Sequence, residues 1–301
     1  MVIANRLSRL QDTLSQEKYF RFIFLAPALV IVVLLTIYPI ISIVYTSLHQ
    51  YHYIQGTKNY VGFKNFIRLV NDKFFLISIR NTFEFAVLST FSELLAGLGL
   101  ALLFKDRFFG RRYLLPIVIM PMLLSTMVVC ATWRILYDYN YGLINYIIRT
   151  LGLGEVGWLI NKSIVMESIV LIEIWQWAPL SFLILLAGLQ SIPDELYEAA
   201  RIDGAAGIRI LWHITLPLLK SQVLLVVLLR SIDTFKLFDK VYALTGGGPG
   251  NATETISYYI YREGFTYFNL GRASAASVIM LLIVVAISAI YISFTLRGQT
   301  S

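Results

Sequence analysis

Catalytic groupings are missing from this sequence. Its one cysteine, Cys130, lies in an apolar run, so an intrachain disulfide is excluded and the redox compartment stays open. The three histidines, His49, His52 and His213, have no partner at metal-ligand spacing; the first two stand three apart without an acidic or cysteine neighbour. No G-x-x-x-x-G-K-[ST] loop is present, so hydrolysis of ATP in the P-loop manner is excluded. The glycines from Gly246 to Gly250 lack the lysine and following helix of a phosphate cradle. There is no G-x-S-x-G elbow and no Ser/His/Asp grouping. Charge is scarce at 14%, and no basic face carries interleaved aromatics, which excludes a nucleic-acid surface. An enzyme has no residues here to work with.

What remains is apolar. The chain of 301 residues is 57% hydrophobic, with a net charge of +7 and a mean hydropathy of +0.71. That is more apolar surface than one aqueous core needs, so its natural solvent is lipid. Runs of about 20 apolar residues suffice to cross a bilayer, and they predict six spans near 22–48, 82–104, 113–136, 163–189, 218–241 and 273–296. Pro27 and Pro39 are expected to kink the first, and the last opens on the small residues Ala273 to Ser277 that let helices pack closely. Residues 49–80, 137–162 and 242–272 read as loops on one side, and the basic turn 105–112 and residues 191–217 as loops on the other.

Residues 1–21 carry Arg6, Arg9, Lys18 and Arg21 around Leu7, Leu10 and Leu14, a pattern for an amphipathic surface helix. They are too polar, and the first apolar run too long, for a cleavable signal peptide. The expected organisation is therefore 1–21 as a surface segment, 22–296 as one all-α, six-span integral membrane domain, and 297–301 as a tail. Twelve lysines and arginines would lie on the side of the termini against nine on the other, a weak vote for termini inside.

One polar stretch, 191–217, interrupts the apolar pattern between the fourth and fifth spans. Ser191 is placed to cap a short helix, Pro193 suits its first turn, and Asp194, Glu195 and Glu198 complement its dipole. Gly204 stops it. A second short helix through Ile208, Leu211 and Trp212 is expected to end at Pro217. Within this stretch Glu198-Ala199-Ala200, Gly204, Ile214, Leu216 and Pro217 satisfy E-A-A-x3-G-x9-I-x-L-P without a gap.

That motif resembles the one marking the membrane subunits of binding-protein-dependent ABC importers. The flanking Ile192-Pro193-Asp194-Glu195-Leu196-Tyr197 and Asp203-Gly204-Ala205 are similar to the carbohydrate-uptake branch. The resemblance implies that the segment is a coupling helix docked in a cytoplasmic ATPase, with Glu195, Glu198, Ala199, Ala200, Asp203, Gly204 and Ala205 at the contact. It implies cytoplasmic termini, a bacterial or archaeal inner membrane, and no cofactor in this chain, ATP and Mg being held by the ATPase. The implied partners are a second six-span permease of different sequence, two ATPases and an extracytoplasmic sugar-binding protein.

Ionisable groups within a bilayer cost at least ~2.5–3.5 kcal/mol each, so their presence needs a reason. Glu173, Gln176, Trp177 and Leu180 share one helical face, joining a carboxylate, an amide and an indole suited to a passing polyol. A second cluster holds Asp233, Thr234, Lys236, Asp239 and Lys240. Aligned on Ile192-Pro193 and Pro217 with the larger membrane subunit of the maltose importer, the substrate positions fall on Glu173, Gln176, Trp177, Leu180, Asp233, Thr234 and Leu237. The residue types mostly differ, so the resemblance places a pathway without identifying the sugar. Interhelical pairing of Glu173, Asp233 and Lys236 is the structural alternative. Asp239 and Lys240 are expected to reach for the interface, as is Arg134 beside Trp133, while Glu84, Glu93 and Glu167 read as packing or interfacial groups.

Two other classes fit less of the pattern. An ion-coupled secondary sugar transporter would use Glu173 or Asp233 for protons but typically shows two related halves, and no repeat is visible. A membrane enzyme acting on lipid-linked sugar would need acids such as Glu173 and Asp233 as catalysts.

Overall fold

Lipid-length helices set the frame of the structure, a computed structural model that describes the backbone of residues 2–106 and 108–297 and the side chains of residues 25–106 and 108–293. The first helix, α1, runs Val2–Ser47 with Pro27 and Pro39 inside it. A hairpin of β1 (His49–His52) and β2 (Thr57–Tyr60) follows, antiparallel with His49 opposite Tyr60, then α2 (Lys64–Val70) and α3 (Lys73–Leu103). The expected loop 49–80 is thus ordered, and the fold is all-α apart from this hairpin. Asn65 pins it, its Nδ2 donating to Ser47 O at 2.8 Å and His49 O at 2.9 Å. The second span begins earlier than expected because Asp72 caps α3, accepting from Phe74 N at 2.8 Å.

The third span is broken. Its halves, α4 (Arg111–Leu123) and α5 (Thr126–Leu136), meet at 99° across Leu124–Ser125. Next come α6 (Leu143–Thr150), inside the expected loop 137–162, and α7 (Val165–Gln190). Among the described residues, four helical stretches are long and apolar enough to cross a membrane, Leu25–Ser47, Lys73–Leu103, Val165–Gln190 and Leu270–Ser293. The number reaches six if each of two bent pairs is one span, α4 with α5 and Ile208–Leu218 with Lys220–Phe235. This is a multi-pass membrane protein.

Beyond α7 lies α8 (Asp194–Ile202). Ser191 does not cap it: the hydroxyl turns back to Gly188 O at 2.7 Å and closes α7. Pro193 occupies the position before the helix, not its first turn. Gly204 does end the turn, with φ +77°, the left-handed region open to glycine. The next helix does not end at Pro217. It passes through α9 (Ile208–Ile210), a π-helical turn at Leu211–Thr215 and α10 (Leu216–Leu218), which contains Pro217, then bends 70° at Leu219 into α11 (Lys220–Phe235). The fifth span therefore stops at Phe235, and α12 (Asp239–Leu244) starts after a break. The expected loop 242–272 holds α13 (Ile256–Tyr261), and α14 (Leu270–Arg297) completes the fold. The side chains of the segment 1–21 and the tail past Arg297 lie outside the described residues.

Packing is tightest between α3 and α7. A Cβ at Gly97 would fall 2.6 Å from Ser181 Cβ and 2.8 Å from Phe182 N, so only glycine lets these backbones approach so closely. Apolar clusters fill both halves of the bundle. Phe85, Val129, Ile169, Ile172 and Val241 occupy the half away from α8, and Ala101, Phe182, Leu185, Leu189, Tyr197 and Leu219 the half near it. At the end far from α8, Arg262 Nη2 pairs with Glu254 at 2.7 Å. Burial there pushes the Glu254 and Glu263 carboxyls above the usual carboxylate range, against the pull of Arg262.

Candidate functional site

Between the two apolar clusters sits a layer of charge. On α3 the buried positions Phe75, Ser78, Thr82, Phe85, Ser89, Glu93, Gly97 and Ala101 recur every three or four residues, which carries Glu93 onto the face toward α7 and α11. On α7 the same periodicity buries Ile169, Glu173 and Gln176. On α11 it buries Val226, Arg230 and Thr234. Three helices thus deliver Glu93, Glu173 and Arg230 to one level.

Arg230 is the hub. Its Nε bonds Glu93 Oε2, its Nη2 lies 3.2 Å from Glu93 Oε1 and 2.6 Å from Glu173 Oε1, and its Nη1 lies 3.6 Å from Asp233 Oδ2. Lys240 Nζ pairs with the other oxygen of Glu173. Glu93, Glu173, Arg230 and Lys240 are all buried, and their formal charges cancel. The Trp177 ring caps the guanidinium, with Arg230 Cζ 4.9 Å from its centroid. Every donor and acceptor of so buried a charge must be met, and here the forked guanidinium meets two carboxylates at once.

Beside this network lies a cavity of about 250 Å³, lined by Thr126, Glu173, Trp177, Arg230, Asp233, Lys236, Leu237, Phe238, Asp239 and Lys240. Of the residues expected on the pathway, Glu173, Trp177, Asp233, Lys236 and Leu237 line it. Three do not. Gln176 is buried, its Nε2 donating to Leu124 O at 3.3 Å in the bend between α4 and α5. Thr234 is buried with its hydroxyl on Arg230 O at 2.8 Å. Leu180 is half-buried on α7, one turn past Gln176.

One expectation about a charged residue changes. Lys240 does not reach for an interface; the break at 236–238 turns α12 inward and its ammonium ends on Glu173. Asp239, its neighbour, is exposed at the rim. Arg230 was missed, although it follows the apolar run Val223 to Leu229 and stands three residues before Asp233, a spacing that aligns the two. Glu93 is a packing group, as expected, and its partner is Arg230. Glu84 is exposed and faces Arg80 at 3.9 Å. Arg134 is exposed and its Nη1 reaches Ala243 O at 3.4 Å.

The second candidate surface is the loop after α7. On α8, Tyr197 and Ala200 are buried, while Glu195, Glu198, Ala199, Asp203 and Gly204 are exposed and Ala205 is half-buried. Ile202, Ile208 and Trp212 stand out at 87%, 73% and 63% exposure, apolar side chains around a glycine turn that no other described residue covers.

Residues 93–296 match the family described as "Binding-protein-dependent transport system inner membrane component". The chain is 37% identical to the trehalose/maltose transport system permease protein MalF of Thermococcus litoralis, over 92% of this chain and 94% of that protein. It is 32% identical to the sn-glycerol-3-phosphate transport system permease protein UgpA of Agrobacterium fabrum, over 95% and 97% respectively. Its fold is that of a chain from a bacterial ABC transporter involved in the import of the acidic polysaccharide alginate, with a TM-score of 0.83 at 22% identity, over 96% of this chain and 99% of that one.

Proposed function

The chain belongs to the binding-protein-dependent transport system inner membrane component family, and on that premise we propose that it is the permease subunit of an ATP-driven sugar importer of the cytoplasmic membrane. The observation that carries this reading is the pairing of two features in one chain: an exposed, glycine-turned loop at one end and a charge-balanced polar cavity at mid-bundle. Residues 22–296 make a six-span permease domain, each bent pair counting as one span, with both termini and the loops 105–112 and 191–217 cytoplasmic. A second six-span permease of different sequence supplies the other half of the pathway. Two ATPase subunits, which hold ATP and Mg, dock at Glu195, Glu198, Ala199, Asp203, Gly204 and Ala205, with Ala200 buried behind that surface, and an extracytoplasmic binding protein delivers the sugar.

The cavity itself favours an uncharged cargo. Relatives named for trehalose/maltose and for sn-glycerol-3-phosphate leave the cargo open. In the buried layer two acids balance two bases, and the exposed rim sets Asp233 and Asp239 against Lys236. The lining as a whole sets Glu173, Asp233 and Asp239 against Arg230, Lys236 and Lys240, so it offers a phosphate no excess of positive charge, whereas hydroxyls can donate to Asp233 and accept from Lys236 while a sugar face stacks on Trp177. Closure of the ATPase dimer on ATP moves α8, the helices rock about the polar layer, and hydrolysis resets them. The chain's own residues bind and gate; they catalyse nothing.

Reconstitution tests this. In proteoliposomes holding this chain with its partner permease and ATPases, uptake of a neutral disaccharide is expected to need both ATP on the ATPase side and binding protein on the other. Uptake driven by a proton gradient without the ATPase would establish the ion-coupled class instead, and turnover of lipid-linked sugar by the chain alone would establish an enzyme.

A further inference from the structure

Three routes lead from α8 toward the polar layer, and two of them are interrupted. Toward α7 the chain breaks at Ser191–Pro193. Toward α11 it passes Gly204 and Gly207, both at positive φ, and then the 70° bend at Leu219. The third route is α3, a helix with no proline between Lys73 and Leu103. Its cytoplasmic end touches α8 directly. Lys105, two residues past α3, places its Nζ 3.2 Å from the centroid of the Tyr197 ring, and Ala101, Phe104 and Tyr197 share one apolar cluster. The stretch from Glu93 to Leu103 covers about 15 Å at helical rise, and Glu93 holds Arg230.

Resting on the importer reading, we propose that α3 is a second transmission element: Lys105 grips the coupling helix through Tyr197, and Glu93 hands the displacement to Arg230 at the cavity. An unbroken helix clamped at both ends moves as one piece, whereas a chain path with glycine turns and a bend dissipates displacement in backbone rotation. Gly97, between the clamps, locks α3 to α7 by backbone contact, so the strut also carries Glu173 with it. Lys105 is a positioning residue. It touches neither sugar nor nucleotide.

The test is the ratio of sugar imported to ATP hydrolysed by the reconstituted complex. Lys105→Gln keeps a polar side chain only one bond shorter and removes the cation that the ring attracts; the ratio is expected to fall at least tenfold with assembly and ATP hydrolysis within twofold of wild type. Lys105→Arg should restore it. Tyr197→Phe should behave as wild type, because the buried Tyr197 hydroxyl has no hydrogen-bond partner among the described residues, while Tyr197→Leu should match Lys105→Gln. A wild-type ratio in both Lys105→Gln and Tyr197→Leu overturns the strut and leaves the importer reading intact. If Tyr197→Leu disrupts assembly, the glutamine and arginine pair decides: equal ratios in those two overturn it. Absence of ATP-driven uptake in the wild-type complex overturns the importer reading, and the strut with it.

Discussion

Gly204→Val is expected to cut ATP-driven uptake at least tenfold while leaving the protein in the membrane at its normal level. Space does not cause this, since a Cβ at position 204 would meet nothing within 4 Å. Backbone conformation does. Gly204 sits at φ +77°, where an L-residue pays about 1–2 kcal/mol and a β-branched one more. The turn relaxes to a negative φ, and α8 then leaves at a different angle from α9. The exposed apolar side chains Ile202, before the turn, and Ile208 and Trp212, after it, then change position relative to one another. Because the loop is outside the packed bundle, folding survives and docking fails. Uptake is expected to drop at least tenfold in the valine variant. It should stay within a few-fold of wild type in Gly204→Asn, because asparagine tolerates the left-handed region. Equal uptake in the valine and wild-type complexes would mean that the turn is not the docking element.

Arg230→Leu has the larger effect on the protein itself. It leaves Glu93 buried with no cationic partner and Glu173 with Lys240 alone. Removing one partner of a buried pair costs roughly 3–5 kcal/mol, since the other charge stays desolvated and unpaired. Domains are only marginally stable, so most of the chain is expected to be lost from the membrane. Adding Glu93→Gln removes the stranded charge, and the double variant should regain a substantial part of the folded level. A double-mutant cycle on thermal stability measures that coupling. Additive losses would show that Arg230 acts by packing alone, through Trp177, and not as the hub of the charge layer.

Much of this could be read from sequence where the cause is local or set by solvent. Apolar runs of lipid length announce themselves, and so do the Gly204 turn and the acidic first turn of α8. Proline alone did not mark the breaks: the helix expected to end at Pro217 runs through it. Pro27, Pro39 and Pro179 lie inside single helices, whereas Pro116 and Pro121 belong to a half-span that ends in a 99° bend. Spanning helices tolerate proline where neighbours satisfy the freed carbonyls, so packing decides which one interrupts. The hairpin was hidden for the same reason: its strands are four residues long and are held by Asn65 and by the bridge from His52 to Asn269.

In the cavity, Glu173, Trp177, Asp233 and Lys236 were legible because helical periodicity gathers them. Lys240 was misplaced because the helix was extrapolated through a break at 236–238. The Glu93–Arg230 pair joins positions 137 apart, a separation that no local pattern spans.

Alternating access of the cavity is the claim on which the rest depends, and the near-absence of cysteine makes it directly measurable. Asp233→Cys in a Cys130→Ala background puts one thiol on the half-exposed rim, in a chain whose native cysteine is buried. In the reconstituted complex, a membrane-impermeant thiol reagent should modify position 233 from the cytoplasmic side without nucleotide. With ATP trapped and binding protein docked, it should do so only from the opposite side. Modification from the same side in both states, or from neither, would contradict a cavity opened and closed by the coupling loop.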